Sequence, residues 1–324
     1  MENKVIYDWV SITSRIHSPQ NFIELLGLDQ PGIGWEQTKG AHGYCDRLYW
    51  EKISIHYNGR EDMGVWLEMS GQGCRAFESF GNGDYEKLFQ EVLDNPGEMN
   101  LTRLDVAFDD HVGLLDIATV AEDTVNRDFI SKWITGKIER SMNFNGKKEE
   151  DALTINFGSM KSVIFLRIYD KAKERGFTDG RHWIRVELQL RDDRALAMVQ
   201  RTEPIGKAFA GVLVNYLRFI QEPDGYDSNR RRWPTKRYWQ QLLDGIAPIQ
   251  LYERPGSEYN MMNLENFVFK QAGGAIYTYL ETHTIGQFLE MLKNRNVSLN
   301  PKYKALIEEN RRRNKEYGKE KYNG

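Results

Sequence analysis

Four separate segments of this 324-residue chain alternate strictly between apolar and polar side chains, and that alternation limits the fold more than any other feature. Successive side chains of a strand point to opposite faces, so a period of two collects every second residue on one face. Over residues 163–171, Ile164, Leu166 and Ile168 share one face, while Phe165, Arg167, Tyr169 and Lys171 share the other. Over 101–109, Leu104, Val106 and Phe108 oppose Arg103, Asp105 and Asp109. Over 65–70, Leu67 and Met69 oppose Trp66, Glu68 and Ser70. Over 183–190, Ile184, Val186, Leu188 and Leu190 oppose Arg185, Glu187 and Gln189. An antiparallel sheet with helices packed on one side predicts this pattern.

The rest of the chain fits around those strands. Residues 5–13 and 44–57 are rich in β-branched and aromatic side chains and predict further strands, with a turn at Asn58-Gly59-Arg60. Ser18-Pro19 predicts the capped start of a short helix, and 85–93 and 114–126 have helical spacing. The segment 129–144 predicts strand broken by Gly136, and the charged, glycine-bearing stretch 173–181 joins the strand of Tyr169 to the one at 183–190 in a hairpin. From about residue 193 the texture turns helical, over 205–220, 236–243, 264–280 and 285–292. The fold class is therefore α+β, a mainly antiparallel sheet with helices on one face, plus a helical carboxy-terminal region. The expected domains are 1–194, catalytic, and 195–324, helical, with a basic tail over 310–324.

Composition excludes several classes. A chain that is 40% hydrophobic and 12% aromatic can build a core. It has no apolar run long enough for a membrane span, and its opening Met1-Glu2-Asn3-Lys4 is unlike a signal peptide. Two cysteines are too few for a disulfide framework or a zinc cluster. The expectation is a soluble cytoplasmic protein with no membrane partner. The net charge of -3 means that any basic surface for nucleic acid must be segregated from the acids.

The polar faces carry the chemistry. Tyr169 lies between Arg167 and Lys171, cations that favour both a phenolate and a bound phosphate. If the four strands are neighbours, Glu68, Asp105 and Glu187 converge near Tyr169. Carboxylates and water make an oxygen site for Mg²⁺ or Mn²⁺, and without a cation such acids would be driven towards protonation. A divalent ion polarises a phosphate oxygen, and Arg167, Lys171 or Arg185 can neutralise charge in the transition state. A tyrosine needs such help because it ionises only near pH ~10. This arrangement predicts a phenol that attacks a DNA phosphodiester.

The segments L-E-M-S-G-Q-G-C-R (67–75), T-R-L-D-V-A-F-D (102–109), F-G-S-x-K-S-x-x-F-L-R-I-Y-D-K (157–171) and W-I-R-V-E-L (183–188) resemble the trans-acting Rep family. That family spans rolling-circle plasmid replication initiators, related phage initiators and relaxases of integrative conjugative elements. The resemblance covers roughly residues 8–194, with four motifs in consistent order. It implies a relaxase-like nuclease fold. It places the catalytic tyrosine, within R-[IF]-Y-[NED]-K, on Tyr169, and the metal-binding acids on Glu68, Asp105 and Glu187. It implies site- and strand-specific nicking and joining at a replication or transfer origin through a 5′-phosphotyrosyl intermediate. Its partners would be supercoiled or single-stranded origin DNA, a host or element-encoded helicase and DNA polymerase, and a second copy in a homodimer. The larger tyrosine nuclease class uses a His-x-His metal motif, which is absent among His17, His42, His56, His111, His182 and His283 and leaves the metal open between Mg²⁺ and Mn²⁺.

Plainer readings stand beside these. Tyr169 is one of sixteen tyrosines and can simply cover a core edge. Asp105 can pair with Arg103 or Arg185, and Gly71-Gln72-Gly73 can be a strand-to-helix turn instead of a phosphate cradle. Arg75, Lys161 and Arg185 are candidate DNA contacts. So is Asn229-Arg230-Arg231-Arg232-Trp233, where cations and aromatics suit backbone contact and base stacking. The rival functions are a metal-dependent hydrolytic endonuclease without a covalent intermediate, and a non-enzymatic DNA-binding initiator or repressor.

Overall fold

The computed structural model describes residues 2–30, 32–142, 144, 151–225, 227–247, 268, 273–294, 307 and 311. Its strands are β1 (Lys4–Ser14), β2 (Glu36–Lys39), β3 (Asp46–Trp50), β4 (Ile53–Tyr57), β5 (Val65–Ser70), β6 (Met99–Asp110), β7 (Phe129–Ser131), β8 (Gly136–Ser141), β9 (Ala152–Phe157), β10 (Ile164–Asp170), β11 (Ile184–Arg191) and β12 (Leu217–Phe219). Ten of them form one sheet in the order β2-β3-β4-β5-β1-β6-β11-β10-β9-β8, and β12 pairs with β7 in a second sheet. Every pairing in the large sheet is antiparallel.

The helices are α1 (Pro19–Leu25), α2 (Gly71–Phe80), α3 (Tyr85–Asp94), α4 (Ile117–Val125), α5 (Lys171–Glu174), α6 (Asp193–Val199), α7 (Ile205–Tyr216) and α8 (Arg237–Ile246). One sheet face and these helices, α5 excepted, share a single apolar core. Leu104, Val106, Phe108, Leu166, Ile168, Val186 and Leu188 meet Phe22, Phe77, Leu88, Val120, Met198, Phe209 and Trp239 there. The residues that alternation assigns to the inner face of β6, β10 and β11 all enter this core, and the polar side chains opposite them, Asp105, Asp109, Arg185 and Glu187 among them, are buried as well. Ser18 caps α1 reciprocally with Asn21, with Pro19 in the first turn, as its sequence predicts.

The structure departs from the sequence reading at weakly signalled elements. The strand predicted over 44–57 is the β3–β4 hairpin, turning at Glu51 and Lys52, whose φ values are 45° and 66°. Glu-Lys lacks the asparagine or glycine that announces such a turn. β2 and β12, four and three residues long, are too short to show a period. β7 leaves the large sheet to pair with β12.

The domain boundary also differs. The chain divides into compact units at Met1–Tyr252 and Glu253–Gly324, not near residue 195. The change of texture at 195 is a switch from strands to the helices that cover them: Ala195, Phe209, Leu213, Leu242 and Ile246 belong to the same core as the sheet. In the second unit, α9 (Gly273–Thr282) and α10 (Ile285–Asn294) are described. The basic tail over 310–324, apart from Arg311, and the first part of the helix predicted over 264–280 lie outside the described residues. Among the described residues, no helix is long and apolar enough to cross a membrane.

Leu188 is fully buried in β11, flanked by β6 and β10. Leu188→Ala is expected to destabilise the protein by about 2–5 kcal/mol, because the sheet around it cannot collapse into the space. Urea denaturation of the two forms measures this.

Candidate active site

The polar face of β1, β6, β10 and β11, with the first turn of α2 and the end of α5, encloses an open cleft of about 400 Å³. Two local features shape it. β1 carries a bulge, where the register with β6 shifts between Tyr7 and Trp9. The extra residue puts both Asp8 and Trp9 on the cleft lining, while Tyr7 and Val10 stay in the core. On β6, Ala107 lies opposite Glu187, and its small side chain leaves the floor open between Asp105 and Asp109.

Tyr169 ends the row on β10. Only 6% of it is exposed, yet it lies outside the apolar core and lines the cleft. Its hydroxyl donates to Glu187 Oε2 at 2.8 Å and accepts from Lys171 Nζ at 3.3 Å. Arg167 donates to Glu187 Oε1, and its guanidinium lies 5.5 Å from the Tyr169 ring centre. Asp170 caps α5 by accepting from the Lys173 amide at 2.9 Å, so the strand ends one residue after the tyrosine and Lys171 swings back over the ring.

Beneath the phenol lies a buried ion cluster. Arg185, 3% exposed, donates to both oxygens of Asp109 at 2.7 and 2.8 Å and pairs with Asp8 at 2.7 Å. Arg103 forks onto Asp105 at 2.9 and 2.6 Å and stacks 4.1 Å from the Trp9 ring. Burial raises the Asp105 carboxyl to about 7, although Arg103 works against the rise. Burial also tends to raise Glu187, but Arg167 outweighs it and holds that carboxyl below its usual range. Burial, and then the Glu187 charge, raise the Tyr169 phenol. The sequence expectation that flanking cations favour a phenolate is thus corrected for this state: the buried, carboxylate-bonded phenol holds its proton. Burial, with Arg185 nearby, lowers Lys171.

Of the residues singled out in the sequence, the cleft brings together Tyr169, Arg167, Lys171, Asp105 and Glu187. Glu68 is not among them. It lines an adjacent depression, with β1 lying between its strand and that of Asp105. The triad of acids expected from the sequence is therefore a pair in this cleft, and among the described residues no group of three metal-ligating side chains is assembled. Asp105 and Glu187 still fit a magnesium-like ion, which takes one or two carboxylates and completes its shell with water and substrate phosphate.

Arg185 is engaged on both sides below the tyrosine instead of facing a ligand. Arg75 donates to the Tyr7 carbonyl at 2.7 Å and to Glu78 at 2.5 Å, joining α2 to β1 away from the cleft. Lys161 is exposed in the turn before β10. Arg230, Arg231 and Arg232 form an exposed 3-10 turn, where Arg230 bonds the Arg127 carbonyl and Arg232 bonds Asp227. Trp239, a few residues on, is fully buried in the core.

Asp8, Trp9, Arg103 and Glu174 line the cleft without having been singled out as site residues. A bulge breaks the period of two, so alternation could not place Asp8. The Gly71-Gln72-Gly73 stretch begins α2 directly, and Gly71 and Gln72 line the cleft. A Cβ at Gly73 would come within 2.4 Å of the Lys52 carbonyl oxygen, so that position needs glycine, whereas one at Gly71 would come within 2.6 Å of Asp8 Oδ1 and displace that side chain.

The family model described as "Replication initiation factor" matches residues 99–295, well over half of the chain. The model described as "Rolling Circle replication initiation protein N-terminal domain" matches residues 4–93. The chain is similar to the putative DNA relaxase NicK of Bacillus subtilis (strain 168), with 27% identity over 270 residues, or 78% of this chain and 74% of that protein. It is also similar to the solved structure of a rolling circle replication initiator protein from Geobacillus stearothermophilus, at 30% identity and a TM-score of 0.72, covering 78% of this chain and 100% of that one.

Asp105 gives the cleft a pH signature. Folding raises its carboxyl from 3.8 to about 7, so the native state binds this proton more tightly than the unfolded chain. The penalty of its buried charge is felt in full above about pH 7 and relieved as pH falls towards the ordinary carboxyl range. Wild type is therefore expected to gain stability relative to Asp105→Asn between about pH 8 and about pH 5. Chemical denaturation of both forms across that window shows the sign.

Proposed function

This chain belongs to the replication initiation factor family, and we propose that it nicks and rejoins one strand of origin DNA through a covalent bond to Tyr169. The observation that carries the assignment of Tyr169 is its hydroxyl, held between Glu187 and Lys171 in a cleft lined by cations. A core tyrosine has no need of such neighbours.

The phenol oxygen attacks the phosphorus, forming the P–O(Tyr169) bond as the P–O3′ bond breaks. The phenol proton leaves along the existing hydrogen bond to Glu187 Oε2. Lys171 supports the growing negative charge on the phenol oxygen, and Arg167 is placed to share charge spreading over the phosphate. The products are a 5′-phosphotyrosyl end and a strand ending in O3′, which takes a proton from solvent. Because the ester bond is exchanged and not hydrolysed, the 3′-hydroxyl can attack the phosphotyrosine in reverse and reseal the strand.

Asp105 and Glu187 would hold the divalent ion, Mg²⁺ or Mn²⁺. Such an ion, when bound, polarises a non-bridging phosphate oxygen. The cleft otherwise lacks spare positive charge: Asp8, Asp105, Glu174 and Glu187 stand against Arg103, Arg167, Lys171 and Arg175. Lys161 and Arg230 to Arg232 are exposed cations available to the DNA backbone. The partners on this reading are origin DNA, supercoiled or single-stranded, and the helicase and polymerase that unwind and extend from a free 3′-hydroxyl. Assembly as a homodimer belongs to the same proposal, and sedimentation decides it.

Tyr169→Phe is expected to abolish both nicking and protein-linked 5′ ends on supercoiled DNA from the native element, with DNA binding retained. A hydrolytic nuclease would keep cutting, and that outcome would sink the covalent reading. Glu187→Gln is expected to slow nicking by about 10²–10⁴-fold, the range of a lost proton acceptor. Single-turnover nicking assays with Mg²⁺ or Mn²⁺ measure both.

A further inference from the structure

Beside the cleft lies a second depression of about 630 Å³, lined by Trp9, Ser11, His42, Tyr44, Trp66, Glu68, Arg103 and Arg191 among others. Its volume falls in the range of ligand sites, roughly 300–1,000 Å³. Trp9 and Arg103 line both cavities, so the depression continues the cleft along the wet face of the sheet.

Its floor is aromatic and rigid. The Trp66 ring stacks on His56 at 4.6 Å with an interplanar angle of 19°, and His42 meets Trp66 edge-on at 5.4 Å. Trp66 Nε1 donates to Ser11 Oγ at 2.7 Å, which fixes the plane of the indole. Tyr44 is fixed in turn by its bond to the Met63 carbonyl. Trp66 is half-buried, so an indole locked from beneath and along its edge still presents surface.

Glu68 is the acid that the cleft leaves out. It stands on the same strand as Trp66, two residues away and on the same face. Arg103, His42 and Arg47 act on it only through space, and among the described residues its carboxylate accepts no hydrogen bond. Two further groups on this lining, Trp9 Nε1 and Arg191 Nε, are buried donors without a partner among the described residues. A half-buried acid and unpaired donors around an aromatic floor suit a flat ligand with polar edges.

We infer that this depression is a base-binding subsite, taking an unstacked base of single-stranded DNA next to the phosphate in the cleft, with Trp66 as the stacking surface and Glu68 accepting from an exocyclic amino group of the base. The inference rests on the reading of the adjoining cleft as the nicking site. Continuity of the two cavities supplies the occupant, since a strand whose phosphate sits over Tyr169 must run on past Trp9. Aromatic stacking holds any base, whereas a carboxylate favours cytosine or adenine over thymine, which presents a carbonyl at the corresponding edge. Arg103 and Arg191 lie where a flanking phosphate would pass.

The test uses the full chain and fluorescein-labelled single-stranded oligodeoxycytidine and oligothymidine, without divalent ion, read by anisotropy. Wild type is expected to prefer oligodeoxycytidine. Trp66→Ala should weaken binding of both probes by about tenfold, the loss of one stacked base. Glu68→Gln should abolish the preference between them, because glutamine can donate as well as accept. Where Trp66→Ala fails to fold, Trp66→Phe and photo-crosslinking of 5-iododeoxycytidine to the wild type decide instead, with the crosslink expected at Trp66 or Trp9. Unchanged affinity and preference in folded variants, or crosslinks only elsewhere, would overturn the subsite. The binding comparison requires no nick. A wild type that discriminates bases here but never nicks would defeat the proposed reaction and leave the subsite standing.

Discussion

The contact on which the site depends is Arg185, buried between Asp109 of β6 and Asp8 of β1. A guanidinium taken out of water is tolerated only when carboxylates surround it, and here they come from different strands. The pair therefore fixes how β1, β6 and β11 sit together on the face that carries the chemistry. Tyr169 is paired with Arg185 across the β10–β11 ladder and rests above this cluster. The phenol oxygen is held beside this cluster by Glu187 and Lys171.

The same network explains why the resting phenol is held neutral. Glu187 is kept ionised by Arg167, and an ionised carboxylate bonded to a phenol opposes loss of the phenolic proton. The lining acids and cations balance one another, so the empty cleft has no surplus attraction for a phosphodiester. On the proposed reading, a phosphate bound together with a divalent ion would change both conditions at once: Asp105 and Glu187 would gain a cation, and Arg103 and Arg167 an anion. On that reading, the reactivity of Tyr169 would be tied to the presence of substrate.

Much of this was legible from alternation alone. The inner faces of β6, β10 and β11 fall where the period of two puts them, because one buried face penalises any slip in register. Asp105, Glu187 and Arg167 share the cleft with Tyr169 for the same reason, whereas Lys171 reaches it from the first turn of α5. What escaped was of three kinds. Glu68 obeys the alternation and lies on the correct face, but a face spans many strands and periodicity gives no strand order; β1 stands between it and Asp105. Asp8 was missed because a bulge has no periodic signal. The boundary expected at 195 coincides with a change from strand to helix inside one core, which Phe209 and Trp239 help to close.

The bulge at Asp8 also accounts for there being two cavities. Without the extra residue, β1 would offer the wet face a single side chain at this level, and it could serve either Arg185 or the stacking of Arg103, not both. With it, Asp8 reaches Arg185 while Trp9 turns beside Arg103 and forms the wall shared by cleft and depression. Arg103 is thereby pinned between an indole and Asp105, and Glu68 is left on the far side, unable to join the acids around Tyr169. One irregular residue at the centre of an otherwise regular sheet thus sets the cleft of Tyr169 apart from the depression of Trp66 and Glu68.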